Sequence, residues 1–341
     1  MQAWCGSLRT SAYRAFVLAA VVLLVAGCAR KPQEVSRPQI SMSPQTPSPS
    51  APPPRPQPQK PIQRPCSWLA VVVDNSIPAR PQSGIGEASI VYELPTEGQI
   101  TRLLAFYCDS APAVVGPVRS LRTYMLEIAH DYHASVAHSG GSTSALRTIR
   151  RTKAPVINEF WQPQPFWRDR SRRMPHNLYT SIPKLRQAHR HPTSPVLPPW
   201  KVEEVEPTTQ PTTIEIPYGR GYDVRFVYNP ETRRYQRFIG GSLAVDSLTG
   251  QPIVVGSVII QYVRWWQVYE GPILTSRLDL VGSGRLMVFT AGRRIEGTWR
   301  RSNPGARTKF SDATGDPLRL QPGPVWVCVV PVNRPARIIT R

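Results

Sequence analysis

Acidic residues are scarce in this chain, 22 Asp and Glu against 42 Lys and Arg, so it carries a formal charge of +20. Cysteine is scarce too, at five residues, with no Cys-x-x-Cys pair and no metal-like spacing. Neither a disulfide framework nor a zinc site is therefore indicated. His130-Asp131-Tyr132-His133 lacks the His-Glu-x-x-His spacing of a zinc protease, and no metal or cofactor is expected. A Gly-x-Ser-x-Gly elbow is also missing, which weakens a serine-hydrolase reading of Ser139 and Ser142 beside His138. No apolar run reaches the roughly 20 residues that a membrane-spanning helix needs.

What is present begins with an export signal. Arg9 and Arg14 precede an apolar run, Ala15 to Val25, which ends in Val25-Ala26-Gly27-Cys28. Positive charge, apolar stretch, then small residues before a cysteine is the pattern of a lipoprotein signal peptide. Residues 1–27 are expected to be removed and Cys28 to take the lipid. The segment 28–65 is dominated by Pro, Ser and Gln, as in Pro52-Pro53-Pro54-Arg55-Pro56. It has too little apolar surface to offset its ordering entropy, so it reads as an extended tether. These features place the folded part outside the cytoplasmic membrane, held to its outer face by lipid. There the basic charge favours anionic wall polymer or peptidoglycan, or an envelope protein, and nucleic acid is not expected. Arginine is scattered along the chain rather than set in one stripe, which also fits a bias in coding composition.

The remainder exceeds one ordinary core, and two domains are predicted, 66–186 and 214–341, joined by a Pro-rich connector at 187–213. In the first, Leu69-Ala70-Val71-Val72-Val73 is a continuous apolar run typical of a buried strand. Ser89 to Leu94 and Ile100 to Tyr107 read as further strands, and Ser120 is predicted to cap a helix reaching Tyr132. Ser139-Gly140-Gly141-Ser142-Thr143 then leads from a short strand into a helix, an arrangement suited to binding an anion. The second domain shows short strands with turn signals between them, including Gly282-Ser283-Gly284, and hardly any helical periodicity. The fold class expected is α+β, a mixed α/β domain followed by a smaller, mostly antiparallel β domain. Cys328 is expected in that domain's core, whereas pairing of Cys66 with Cys108 stays open. Trp299 and Trp326 are read as core residues ahead of a sugar-binding role.

Several ordered motifs carry a resemblance. Asp74-Asn75, Ala79-Arg80-Pro81-Gln82-Ser83-Gly84, Val91-Tyr92-Glu93, Glu97-Gly98 and Thr101-Arg102 come first. Gly116-Pro117-Val118-Arg119-Ser120, His138-Ser139-Gly140-Gly141-Ser142 and Pro175-His176-Asn177-Leu178-Tyr179 follow. Over about 68–330 the sequence resembles the YerB-type lipoproteins, the domain-of-unknown-function 3048 family. That resemblance implies a lipoprotein with an N-terminal and a smaller C-terminal domain, and no particular activity.

Polar residues at strand ends and in glycine-punctuated loops are the candidates for chemistry. Asp74, Asn75, Arg102, Arg119, Arg122, His138, Gly140, Gly141, Ser142, Arg170, His176 and Asn177 are the expected ligand-binding set. Glu93, Glu97, His138 and His176 are the acid–base candidates should the protein be an enzyme. Asp74 and His138 are predicted to share one edge of a cleft where strand ends converge. Phe166-Trp167-Arg168 suits stacking on sugar rings or clamping anions. The leading expectation is a binding or accessory protein for an anionic or glycan-containing ligand. The rivals are an enzyme acting on wall polymers and a protein-interaction adaptor.

Overall fold

The computed structural model describes residues 64–189, 194–210 and 212–340. Cys28, the signal peptide and almost all of the tether lie outside the described residues. The class is α+β, and the centre is one ten-stranded sheet. Its strands are β1 (Leu69–Asp74), β2 (Ile90–Pro95), β3 (Thr101–Tyr107), β4 (Ser135–His138), β5 (Val156–Asn158), β6 (Ser257–Val263), β7 (Gly282–Thr290), β8 (Arg293–Arg301), β9 (Lys309–Asp312) and β10 (Val325–Pro331). They lie in the order β9-β8-β7-β6-β10-β2-β3-β1-β4-β5.

β10 runs parallel to both β2 and β6, which flank it. The division expected between 66–186 and 214–341 therefore does not divide the sheet: strands from both segments form a single surface. A run of Val and Cys buried on both faces, Val325-Trp326-Val327-Cys328-Val329-Val330, suits that central place.

Side chains alternate between two cores, as the pleat requires. Leu69, Val71 and Val73 face one side, where they meet a six-stranded sheet that includes Thr212–Ile216, Val224–Asn229 and Arg234–Ile239. Helix α3 (Ile182–Ala188) joins that layer through Ile182 and Leu185. Ala70 and Val72 face the other side, covered by α1 (Thr123–Asp131) and α2 (Thr143–Thr152). Trp299 and Trp326 are buried, and Cys328 is a buried free thiol.

Three local readings are corrected. Helix α1 starts at Thr123, not Ser120, because residues before it are held extended: Leu121 N–H donates to Gly140 O, and Ser120 O accepts from Arg102. Gly282-Ser283-Gly284 is the start of β7 rather than a turn. Glycine is needed at 284 because a Cβ there would fall 2.4 Å from Trp299 Nε1. The connector also holds a short strand, Lys201–Val202, paired in parallel with Arg319–Leu320. The question left open by spacing is answered by a Cys66–Cys108 disulfide with Cα atoms 5.5 Å apart.

Candidate functional site

β1, β4 and β5 are parallel neighbours, so their carboxyl ends share one edge. Past Val71 the pairing partner of β1 changes. The segment around Val118 takes over from β4, with Asp74 N–H donating to Pro117 O and Arg119 N–H to Val72 O. The carboxyl edge of parallel strands is the usual place for a ligand in α/β layers. Gly116, in a cis peptide with Pro117, makes the approach to Leu178 and Tyr179 possible: a Cβ at 116 would lie 2.8 Å from the Tyr179 ring.

A closed circuit of polar contacts rims this edge. Asp74 Oδ2 accepts from His176 Nδ1 at 2.7 Å and lies 2.9 Å from Arg119 Nε. Asp74 Oδ1 accepts the Ser76 N–H at 2.9 Å. Arg119 O accepts the Ser139 N–H, and Ser139 Oγ donates to Glu159 Oε2 at 2.5 Å. Glu159 Oε1 accepts from Arg168 Nη2 at 2.8 Å, and Arg168 Nη1 donates to Asn177 Oδ1 at 3.1 Å. Asn177 adjoins His176, which closes the ring. The hairpin carrying His176 is fixed in turn by Arg172, whose guanidinium donates to Ala79 O and Pro81 O.

The electrostatics of Asp74 follow from this placement. Burial alone would raise its pKa, but the Arg119 charge, the Ser76 N–H and the His176 hydrogen bond outweigh it and hold the carboxyl below its ordinary value. A carboxylate can only accept, so His176 carries its proton on Nδ1, and Ser76 Oγ at 3.1 Å shares that proton. Among the described residues, His176 Nε2 and the two terminal nitrogens of Arg119 have no hydrogen-bond partner. Both side chains are partly exposed, at 19% and 25%. Arg170 is exposed on the same hairpin.

The other candidates lie elsewhere. Glu93 is fully buried and saturated: Asn75 and Thr101 donate to one oxygen, Arg237 and Trp326 to the other. Asn75 also accepts from Gln82 at 2.7 Å, so both residues are internal scaffold and not free to bind or transfer protons. Glu97 chelates Arg122 through two hydrogen bonds and accepts the Ser276 N–H. Burial opposes its ionisation, yet these contacts bring its pKa down to about 2. Glu97 is thereby held ionised in its pair with Arg122, which is engaged by the same carboxylate. Arg102 is buried with its pKa lowered by burial to about 10, and donates to Ser120 O.

His138 reaches the shared edge at the end of β4, but its side chain is wholly buried. Nδ1 donates to Gly140 O at 2.8 Å, and burial lowers its pKa to about 4. It is Ser139, the next residue, that faces Glu159. Most N–H groups of the glycine turn are already engaged within the protein. Gly140 N–H donates to Asn158, Ser142 N–H to Leu121 O, and the Ser142 hydroxyl caps Ala145. Gly141 lies against the Leu121 backbone. The N-terminus of α2 already holds a carboxylate, with Ser144 N–H donating to Glu270 Oε2 at 2.9 Å.

The expected stacking pair is also spent: Phe166 is buried, and Trp167 stacks on Tyr179 with Lys184 over its ring. Glu159 was not among the candidates, whereas Ser139 entered only within the glycine turn and Arg168 only within Phe166-Trp167-Arg168. An open groove of about 450 Å³, lined by Arg220, Arg334 and Arg337 among others, includes no residue of the ring. Among the described residues, the only cluster with metal-like proximity is Cys66, Cys108 and Asp109, whose two thiols form the disulfide.

The sequence and the fold have known counterparts. Two family models, described as the N-terminal and C-terminal domains of a protein of unknown function (DUF3048), match residues 54–193 and 214–327. The chain belongs to this family. A DUF3048 relative in Bacillus subtilis strain 168, provisionally named lipoprotein YerB, is 30% identical over 77% of this chain and 81% of its own. The crystal structure of YerB protein from Bacillus subtilis superposes with a TM-score of 0.71 at 28% identity. It covers 81% of this chain and 94% of that one. The ring of polar contacts falls within the N-terminal DUF3048 match.

Proposed function

We propose that this DUF3048 protein is a lipoprotein anchored through Cys28 to the outer face of the cytoplasmic membrane. In this reading it binds an anionic or glycan-containing envelope ligand at the Asp74–Arg119–His176 edge. One observation carries it: a buried carboxylate holds an arginine and a histidine side by side and leaves their outer nitrogens free. A guanidinium pre-positioned in this way recognises carboxylate or phosphate with little loss of rotamer freedom. The signal-like N-terminus and the name of the Bacillus relative support the location.

A second reading, catalysis on a wall polymer, is favoured by the same histidine. Asp74 fixes the tautomer that leaves Nε2 able to accept a proton, the arrangement of an oriented general base. His176 thus replaces Glu93, Glu97 and His138 as the residue to test. The deciding experiment measures binding of the mature chain, with Cys28→Ser for solubility, to peptidoglycan and to teichoic polymer at low and moderate salt. Arg119→Ala and His176→Ala are compared, and the polymers are then assayed for released fragments. Saturable binding lost with Arg119→Ala supports the ligand site, and fragments that depend on His176 promote the enzyme reading. Binding that fades with salt but ignores both substitutions sinks the proposal, because net charge alone then explains it.

A further inference from the structure

We infer that the turn after β5 is a sugar-stacking platform beside the Arg119–His176 edge, so that the ligand is a glycan bearing carboxylate or phosphate groups. This deepens the function proposed above and rests on it for the anionic part. Phe160 and Trp161 follow directly on Glu159 and are 72% and 50% exposed. Isolated apolar residues on a surface need no explanation. Two consecutive large aromatics on a turn this firmly held, one residue from a polar ring, do.

The turn is fixed from several directions. Asn158 Oδ1 accepts the N–H groups of Phe160 and Gly140, at 3.3 and 3.2 Å. Asn158 O accepts those of Trp161 and Gln162, at 2.9 and 2.8 Å. Between the strand and the aromatics, Glu159 is tied to Ser139 and to Arg168. The Phe160 ring lies over Gly140, where a Cβ would fall 3.0 Å from its Cε2. These bonds fix the backbone that carries both rings, so the turn itself has little freedom left to lose on binding.

The chemistry of the neighbourhood selects the occupant. A sugar ring offers an apolar C–H face to an aromatic and hydroxyls to flanking polar groups, and Phe and Trp give large rigid contact area. Glu159, the residue before Phe160, is bonded to Ser139 and to Arg168, and Arg168 to Asn177, so hydroxyl, carboxylate, guanidinium and amide groups form a chain that starts next to the aromatic pair. Arg119 adds positive charge on the same edge. Aromatic faces beside basic and hydroxyl-binding groups fit a charged glycan better than an uncharged lipid or a purely polyanionic chain.

The test uses the mature chain with Cys28→Ser and three soluble probes. The first is a peptidoglycan glycan carrying muramic carboxylates, the second poly(glycerol phosphate), which has no sugar rings, and the third an uncharged N-acetylglucosamine tetramer. Phe160→Ala and Trp161→Ala are each expected to weaken the charged glycan about three- to tenfold and to leave poly(glycerol phosphate) unchanged. Arg119→Ala is expected to weaken both charged probes, and the tetramer to change Trp161 fluorescence at high concentration. Glycan binding lost with Arg119→Ala but intact in both aromatic variants overturns the platform and keeps the anion site. The reverse pattern keeps the platform and overturns the function proposed above. No binding of any probe by the unmutated chain overturns both. A dimer in light scattering that Phe160→Ala abolishes, with no effect on glycan, overturns the platform in favour of self-association.

Discussion

Glu93 and Arg237, 144 residues apart in sequence, form an ion pair with Oε2 and Nη2 2.9 Å apart and both side chains fully buried. The guanidinium also lies 4.4 Å from the Trp326 ring centre, and Trp326 Nε1 donates to the same carboxylate oxygen at 3.1 Å. Strands β2 and β10 and the six-stranded sheet are thereby joined through one carboxylate. Removing one member of such a pair leaves a buried charge without compensation. Arg237→Met is expected to destabilise the fold by about 3–5 kcal/mol, read as a shift in the urea midpoint. The double variant Glu93→Gln, Arg237→Met should recover part of that loss. A single variant within 1 kcal/mol of the parent would refute this account.

Glu97 gives stability a defined dependence on pH. Its folded pKa of about 2 lies below the ordinary 4.5, so the unfolded chain binds the proton more readily. The contribution is fully present above about pH 4.5 and is lost as pH falls toward 2. The fall from 4.5 to about 2 converts to roughly 3.4 kcal/mol at 1.36 kcal/mol per pH unit, and solvent screening of this partly exposed pair reduces it to on the order of 2–3 kcal/mol. Unfolding curves from pH 2 to 7 should show Glu97→Gln and the parent converging at the acid end. A constant gap over the whole range would contradict the assignment.

The disulfide closes a loop with a sequence separation of 42 at the start of the folded region. Constraint of the unfolded chain by a loop of that length contributes about 4 kcal/mol in the chain-entropy treatment. Cys66→Ala with Cys108→Ala is expected to lower stability by about 2–4 kcal/mol and to leave Cys328 unreactive in the native state. Labelling with a thiol reagent, with and without denaturant, checks the second part.

His138 should titrate near pH 4, well below the ordinary 6.5, since burial disfavours its charged form. The unfolded chain takes up this proton first, so its contribution to stability is complete above about pH 6.5 and falls as pH drops through 4. Ring resonances followed by NMR against pH would show a neutral Nδ1–H tautomer down to about pH 5. A midpoint at or above 6.5 would mean that the ring is solvated rather than enclosed.

The sequence made local structure legible where composition speaks for itself. The apolar run of β1, Asp74 at its end, and His176 and Asn177 before the strand Leu178–Thr180 were visible without coordinates. Arg119 was visible as a guanidinium in a glycine-punctuated loop, paired in that reading with Arg122. Partners that meet only through strand order were not visible. Ser139 and Glu159 come together because β4 and β5 are adjacent, and Arg168 reaches them from a later hairpin. The same blindness explains Glu93. A carboxylate beside Tyr92 reads as an acid–base candidate until donors 144 and 233 residues away are seen to saturate it. Gly140-Gly141-Ser142 looked like an anion cradle because nothing nearby shows that Asn158 and Leu121 already accept the N–H groups of Gly140 and Ser142, and Glu270 that of Ser144 just beyond.

The position of β10 sets an order of events. It is made from residues 325–331, yet it lies between β2 and β6, and each has an unpaired edge until it arrives. The middle of the sheet is thus completed only when residues 325–331 join β2 to β6, strands that come from well-separated parts of the sequence. An exposed β edge invites pairing with other chains, so the interval before β10 docks is when this protein is most vulnerable to aggregation. Truncation from residue 325 onward would remove a keystone and not a tail.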